Sequence, residues 1–251
     1  MRIIHRFLEK FRQKTVENSF SCDACGREVF SYPTPRLCEK CLSLLTFNDG
    51  CHCDKCGRPT RGEGVCASCK SVRPDFEKGA SALAYFDFSA GVVNRFKNGK
   101  RYLAYYFAEE LVKILDRLPQ KEYVMVAVPL TKKKQRIRGY NQSAELVKRL
   151  AELTGMEYRI DLMEKVRDNE QKQLSAKERR QSVGGLFRVT DRKFCKGKDL
   201  LIVDDVMTSG ATLSELSSRL LRAGAASVCV LTVAAVPERD PISHTNRLAS
   251  M

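Results

Sequence analysis

The spacing of hydrophobic residues predicts alternating strands and helices in the larger, C-terminal part of the chain. Apolar runs of strand length occupy four segments, residues 80–86, 124–128, 200–203 and 228–236. Apolar positions at helical spacing mark three further segments, residues 103–118, 142–153 and 212–223. Because strands that alternate with helices build parallel sheets, we expect an α/β domain with flanking helices over residues 75–236.

The two ends of the chain have different patterns. Ile3, Ile4, Phe7, Leu8 and Phe11 fall at helical spacing among basic residues, which predicts an amphipathic basic helix over residues 1–20. Such a helix could pack against the rest of its own protein, or it could bind a membrane surface or a partner. The sequence leaves both alternatives open. Residues 237–251 contain two prolines and no periodicity, so we expect a flexible tail.

Membrane insertion and secretion are not indicated. No apolar run approaches the roughly 18 residues that a membrane-spanning helix needs. The N-terminal segment lacks both the apolar centre and the small-residue cleavage site of a secretory signal. We therefore expect a cytoplasmic protein without stable membrane insertion.

Cysteines are concentrated in the N-terminal part, where nine of the eleven fall within residues 22–69. Their C-x-x-C pairs form two consecutive sets of four thiolates, Cys22, Cys25, Cys38 and Cys41 followed by Cys53, Cys56, Cys66 and Cys69. Each set supplies the four ligands of one tetrahedral structural zinc. Metal binding would order a segment too short to build its own core, so we predict a double zinc ribbon with two zinc ions over residues 21–74.

Alternatives for the cysteines are weaker. Redox-active C-x-x-C pairs occur in a thioredoxin-like arrangement of strand and helix. Four such pairs in a row do not fit that arrangement. Cys51 and His52 are surplus, and the spacing leaves open whether either joins a metal site, although C-x-x-C geometry favours Cys53 over Cys51. Full thiolate coordination leaves no position for a substrate water, so the predicted role of the zinc is structural.

The chain is basic, with a formal net charge of +14. The excess lies mainly in residues 121–198, which hold 20 lysines and arginines against 10 acids. Such a field attracts nucleic acid, diphosphate or anionic lipid, whereas solvated surface charge is the alternative without a ligand.

The clearest candidate site lies in residues 199–213, where an apolar strand leads to Asp204 and Asp205 and then to a loop that opens a helix. Five small residues form this loop, namely Thr208, Ser209, Gly210, Ala211 and Thr212. The threonines and the serine offer hydroxyls, and the backbone offers closely spaced N–H groups. The positive end of the helix dipole favours an anion there, so we predict a phosphate site. Carboxylates cannot bind phosphate, and the acidic pair instead suits the vicinal hydroxyls of a ribose.

This segment resembles the phosphoribosyltransferase fingerprint. The resemblance implies that the acidic pair holds the ribose 2′- and 3′-hydroxyls of phosphoribosyl diphosphate and that the loop holds the 5′-phosphate. It also implies a type I phosphoribosyltransferase-like parallel sheet flanked by helices, and a magnesium ion that accompanies the diphosphate.

Residues 22 to about 237 resemble the ComF competence family, which joins a double zinc ribbon to a phosphoribosyltransferase-like domain. Besides the cysteines and the fingerprint, the resemblance rests on the motifs FK at 96–97, VPL at 128–130, RIRGYNQ at 136–142 and QLSAKERR at 173–180.

The resemblance also assigns a role to the basic stretch after residues 124–128, which we expect to be a loop facing the diphosphate. Its candidate contacts are Arg136, Arg138 and Gly139, together with Lys97, although exposed charge on a mobile loop is an alternative. Residues 157–189 would form a hood over the site, and their polar composition does not reveal the acceptor nucleophile.

Three functions are compatible with these features. The resemblance favours a factor in natural transformation that receives internalised single-stranded DNA in the cytoplasm. A phosphoribosyltransferase with an unknown nucleophile is the second possibility. The third is a sensor of phosphoribosyl diphosphate whose ribbon docks a helicase-type partner. Fold and site alone do not decide among them.

Overall fold

A computed structural model describes residues 21–29, 36–166 and 185–238 of the chain. The helix predicted over residues 1–20 lies outside the described residues, as do the basic centre of the predicted hood and the tail from residue 239 onward. Within the described residues, no helix is long and apolar enough to cross a bilayer.

Seven strands form the two sheets of the described chain. They are β1 Gly79–Ala84, β2 Tyr123–Ala127, β3 Tyr158–Arg159, β4 Met163–Lys165, β5 Phe187–Val189, β6 Asp199–Met207 and β7 Ser227–Ala235. The main sheet has the order β1-β7-β6-β2-β3 with every pair parallel. Strands β4 and β5 pair antiparallel as a separate two-stranded sheet. The predicted parallel α/β fold is confirmed.

All three predicted helical segments contain helices, and the described residues form eight α-helices in all. They are α1 Glu39–Ser43, α2 Ala67–Ser71, α3 Asp87–Lys97, α4 Leu103–Val112, α5 Lys132–Arg138, α6 Gln142–Thr154, α7 Arg192–Cys195 and α8 Ala211–Arg222. The continuous helix predicted over residues 103–118 is wrong at its C-terminal end. After Val112 the chain forms a 3-10 turn at Leu115–Arg117, and Leu118 is extended because Pro119 disfavours helical geometry in the residue before it.

The loop predicted for the basic stretch is also wrong, because residues 132–138 form helix α5. Its N-cap is Thr131, whose hydroxyl accepts a hydrogen bond from the Lys134 N–H. Gly139 ends the helix in the left-handed conformation, with φ of 80°. Lysine, arginine and glutamine between these caps are good helix formers, so local sequence supports the helix despite its repulsive charges.

Alternating residues of the central strands feed two cores on opposite faces of the sheet. On β2, Met125 and Ala127 contribute to the core beneath α3, α4 and α6, whereas Val124 and Val126 contribute to the core beneath α8 and the β4–β5 pair. Burial on both faces explains why these strands are continuously apolar.

The cysteine region folds as two repeats of one pattern. In the first, the Cys22 N–H donates to the Arg27 carbonyl and the Gly26 N–H donates to the Cys22 carbonyl. The second repeats both bonds with Cys53, Arg58 and Gly57. A short helix follows the third cysteine of each set, α1 after Cys38 and α2 after Cys66.

The two ribbons pack on opposite faces of the main sheet. Residues of the first join the core beneath α3, α4 and α6, and the cysteines of the second join the core beneath α8. Between them, the chain runs antiparallel along β1: the Asn48 N–H donates to the Ala82 carbonyl and the Ala84 N–H to the Thr46 carbonyl. The boundary placed near residue 74 stays a prediction, and the structure adds that the two parts share their cores.

Matched glycines test how the second ribbon docks. Gly26 and Gly57 have φ of +73° and +69°, but a Cβ at Gly57 would lie 2.4 Å from the Gly79 carbonyl oxygen, whereas one at Gly26 meets nothing within 4 Å. We expect Gly26→Ala to cost about 1 kcal/mol of unfolding free energy, because of its positive φ alone. Gly57→Ala should cost roughly 2 kcal/mol more, because backbone must move. Urea unfolding of the metal-loaded variants measures both, and equal losses would contradict the described docking.

Candidate functional site

The candidate site lies where the chain direction across the main sheet changes. From β2 the chain passes through α6 to β3 on one side, and from β6 it passes through α8 to β7 on the other. These two helices pack on opposite faces, which leaves a crevice at the carboxyl ends of β2 and β6. Ligands of open α/β sheets bind at such a point.

Asp204 lies on β6, which continues two residues beyond the acidic pair because Val206 and Met207 still pair with β7. The Ser143 hydroxyl, in the first turn of α6, donates to Asp204 Oδ1 at 2.8 Å. The Asp205 N–H donates to the same oxygen at 2.9 Å. Helix α6 is thus connected directly to the acidic pair.

Asp205 is buried and has two partners from other elements. The Gln142 side-chain amide donates to Asp205 Oδ2 at 3.2 Å, and Lys97 Nζ lies 3.4 Å from Asp205 Oδ1. Lys97 is the last residue of α3, and its ammonium also lies 5.7 Å from the centre of the Tyr85 ring. The structure therefore brings Lys97 to the acidic pair.

Tyr140 holds Lys97 in place from the α5–α6 connection. Its hydroxyl donates to the carbonyl of Phe96 at the end of α3. The Gly99 N–H donates back to the Tyr140 oxygen at 3.4 Å. Asn141 follows, caps α6 through the N–H groups of Ser143 and Ala144, and so fixes the helix that carries Gln142 and Ser143.

Burial and the neighbouring carboxylate change the protonation of Asp204. Partial removal of the carboxyl from water, reinforced by repulsion from Asp205, raises the pKa of Asp204 to about 7. The hydrogen bond from Ser143 and the charge of Lys97 oppose this shift without cancelling it. Asp204 is consequently a carboxyl that changes charge near neutral pH.

The predicted phosphate loop has the backbone of an anion site. Gly210 adopts φ of 81° and is the N-cap of α8, where it has no side chain to accept from the first helical turn. The Ala211 N–H donates to the Ser209 hydroxyl at 3.3 Å. Thr208, Ser209, Ala211 and Thr212 are exposed, which leaves their hydroxyl and backbone groups accessible. A helix N-terminus with exposed donors suits a phosphate.

Arg58 braces this loop from the second ribbon, a contact that the sequence did not indicate. Its side chain is buried and donates from Nη2 to the Thr208 carbonyl at 2.8 Å. Ser143 was likewise missed as a partner of the acidic pair. The position of Ser143 next to the N-cap of α6 is a sequence signal that could have identified it. The residues around Arg58 repeat those around Arg27 in the other ribbon, so no such signal exists for Arg58.

Three of the four predicted basic contacts, Arg136, Arg138 and Gly139, lie on α5 and its cap near the carboxyl end of β2, because α5 begins five residues after β2 ends. The fourth, Lys97, lies on α3. Arg136 is exposed and Arg138 is half-buried. The described partners of the acidic pair are nevertheless Lys97, Gln142 and Ser143, so the structure brings together only part of the predicted set.

Both cysteine sets have the geometry of a metal site. The ligand atoms of each set lie within 4.8 Å of one another, and the second set uses Cys53 while Cys51 is exposed. Sulfur–sulfur distances of 3.9 Å between Cys25 and Cys38 and 3.8 Å between Cys56 and Cys66 match the roughly 3.8 Å of tetrahedral zinc thiolates. A hydrogen bond from the Cys56 side chain lowers the pKa of Cys53 to about 4, whereas the same hydrogen bond and burial raise the pKa of Cys56, and burial raises the pKa of Cys69.

Comparison with known proteins agrees with this geometry. Residues 104–244, more than half of the chain, match the phosphoribosyl transferase domain family. The competence protein ComFC of Bacillus subtilis is 30% identical over 227 residues, which cover 86% of this chain and 92% of that protein.

Two further relatives match most of their length. The DNA utilization protein YhgH of Escherichia coli is 28% identical, with 77% of this chain and 88% of that protein covered. ComFC of Streptococcus pneumoniae is 28% identical, with 82% and 96% covered. The chain therefore belongs to the phosphoribosyl transferase domain family and, within it, to the ComF group of competence and DNA-utilization proteins.

Proposed function

We propose that this chain acts in natural transformation by handling internalised single-stranded DNA, and that it binds phosphoribosyl diphosphate or a related sugar phosphate. The observation that carries the proposal is the acidic pair followed by the phosphate loop, in the crevice between β6 and β2. The names of its relatives, competence and DNA-utilization proteins, supply the biological setting.

In this proposal the sugar lies across the crevice. Asp204 and Asp205 accept hydrogen bonds from the ribose hydroxyls, and residues 208–212 bind the 5′-phosphate through backbone N–H groups and hydroxyls. Gln142, Ser143 and Lys97 hold the carboxylates in position through the contacts described above. Arg136, Arg138 and Gly139 lie on the side from which a diphosphate would be bound.

The two kinds of metal have different places in the proposal. Zinc is the proposed ion of both cysteine sets, where it clamps the ribbons. Magnesium would be held by diphosphate oxygens of the ligand, because Lys97 already pairs with Asp205. Its contribution there is to neutralise the charge of the diphosphate.

Helix α5 is the proposed guide for the DNA backbone. Five of its seven residues are lysine or arginine, and Lys132, Lys133 and Arg136 are exposed. Their position beside the acidic crevice would allow one strand to reach the sugar-phosphate site. Backbone contacts of this kind are independent of base sequence and sensitive to salt.

A catalytic phosphoribosyltransferase is the second candidate, favoured by the hydrogen bonds that hold both carboxylates of the acidic pair. The reaction would form a bond from a nucleophile to ribose C1 while diphosphate leaves. Release of diphosphate by the wild type, absent when both acids are replaced, would distinguish catalysis from binding alone.

Calorimetric titration tests the pocket. Phosphoribosyl diphosphate with magnesium should bind the zinc-loaded wild type saturably, and Asp204→Asn/Asp205→Asn should lose at least roughly tenfold in affinity because charge-assisted hydrogen bonds to the ribose are removed. Asp49→Asn/Asp116→Asn, two exposed acids, is the matched control with the same change in charge. Absence of binding by the folded wild type would refute the pocket.

Asp204→Asn alone should weaken ligand binding and raise the free energy of unfolding of the ligand-free protein. The amide keeps an Oδ1 acceptor for Ser143 and Asp205 but carries no charge. Because the pKa of Asp204 is raised to about 7, the wild type binds a proton on folding between pH 4 and 7, and its stability relative to the variant falls over that range. At pH 8 the ligand-free variant should be more stable by on the order of 1 kcal/mol.

Urea unfolding at pH 5.5 and pH 8 measures this difference, which should be larger at pH 8. Comparison of wild type and variant at the same pH cancels the contribution of the metal thiolates. A variant that is less stable at pH 8 would contradict the raised pKa.

Single-stranded DNA binding at graded salt tests the role of α5. Lys132→Gln/Lys133→Gln/Arg136→Gln should weaken binding and reduce the slope of log affinity against log salt by about 2, because each phosphate contact contributes about 0.7. Lys193→Gln/Lys196→Gln/Arg222→Gln removes the same charge at the opposite edge of the sheet and should leave the slope unchanged. Equal effects of the two triple variants would rule out α5 as the guide.

A further inference from the structure

The two ribbons contain the same knuckle sequence in different surroundings. Each has C-x-x-C-G-R, which ends in Arg27 in the first ribbon and in Arg58 in the second. Arg27 is exposed, whereas Arg58 is only 6% exposed. A charged side chain is seldom buried without a partner. The partners of the buried Arg58 therefore need to be identified.

Arg58 connects the second cysteine set to the phosphate loop. Its guanidinium donates to the Thr208 carbonyl at 2.8 Å and also has a hydrogen-bonding contact with the Cys56 side chain. Within the described residues, its Nε has no hydrogen-bond partner. One rigid, planar group thus contacts a sulfur of the second cysteine set and the backbone of the proposed phosphate site.

Other contacts fix the second ribbon relative to the end of the sheet. The Glu238 N–H donates to the Pro59 carbonyl, and the Ala67 N–H donates to the Glu238 carboxylate at 2.6 Å. The Val236 N–H donates to the Met207 carbonyl, at the end of β6. These hydrogen bonds fix the ribbon, and with it Arg58, relative to the ends of β6 and β7.

A cavity of about 290 Å³ separates the ribbon from the loop beside this contact. Cys56, Arg58 and Phe76 line it on one side, and Ser209, Gly210 and Ala211 line it on the other. Side-chain packing is thus incomplete between the two surfaces. The hydrogen bond from Arg58 to the Thr208 carbonyl therefore connects the ribbon to the loop directly, beside a cavity that side chains do not fill.

We propose that Arg58 is a positioning residue that couples metal binding at the second cysteine set to the conformation of the phosphate loop. With the metal bound, the knuckle is fixed and Arg58 holds the Thr208 carbonyl, which orients the following N–H groups toward the crevice. Without it, the knuckle and the loop lose their common support. Coupling of this kind is reciprocal, so a ligand on the loop stabilises the metal in the second set.

Hydrogen exchange around the loop tests the coupling without any ligand. Arg58→Gln should speed exchange roughly tenfold at the hydrogen-bonded amides on either side of the loop, the Ser214 N–H that donates to the Gly210 carbonyl and the Val236 N–H that donates to the Met207 carbonyl. The reason is the loss of a charge-assisted hydrogen bond from a buried guanidinium. Arg27→Gln, the same change at the same place in the other knuckle, should leave it unchanged. Arg58→Lys keeps the charge and lacks the planar fork, so it guards against misfolding and should give an intermediate rate.

Zinc release to a chelator provides the second readout, and its ligand part rests on the proposed function. Phosphoribosyl diphosphate should slow release from one of the two sets in the wild type and in Arg27→Gln, but not in Arg58→Gln. Equal loop exchange in the Arg58 and Arg27 variants would overturn the coupling. Failure of the wild type to bind phosphoribosyl diphosphate would overturn the proposed function instead, with loop exchange still deciding the role of Arg58.

Discussion

Two neighbouring carboxylates at the end of a buried strand are the constraint on which the candidate site depends. Asp204 and Asp205 repel each other and have lost part of their hydration, which is unfavourable unless other groups compensate. The compensation comes from Lys97 on α3 and from Gln142 and Ser143 on α6. Elements distant in sequence must therefore pack correctly before the pair is stable.

The network around this pair explains several features of the sheet. Helix α6 has to begin at the carboxyl end of β2, and α3 has to end beside β6, for their polar side chains to reach the acids. Tyr140 connects these two helix ends through the Phe96 carbonyl. Such a site is held in advance of its ligand, which lowers the cost of ordering it on binding.

Much of the fold followed from local patterns in the sequence. The apolar runs predicted β2, β6 and β7 because both faces of these strands are buried, and the C-x-x-C spacing predicted both cysteine sets because their ligands are close in sequence. The basic stretch was mistaken for a loop because its charges masked two good caps, Thr131 and Gly139.

The site was predictable only where one segment carries it. Asp204, Asp205 and residues 208–212 lie together in the sequence, and their chemistry indicated a ribose phosphate. Arg58 acts on Thr208 from 150 positions away, and its sequence surroundings repeat those of the exposed Arg27. Only tertiary packing separates the two arginines, so no local pattern could have distinguished them.

The strip of backbone at residues 46–48 has a consequence for the chain as a whole. It occupies the outer side of β1, a strand whose six residues are all buried. A fragment that began after residue 74 would leave the backbone groups on that side of β1 unpaired, and an unpaired edge strand is a template for association with further chains. The segment between the two cysteine sets thus covers an edge of the main sheet, and the phosphoribosyl transferase domain would lose that cover if the chain were cut at residue 74.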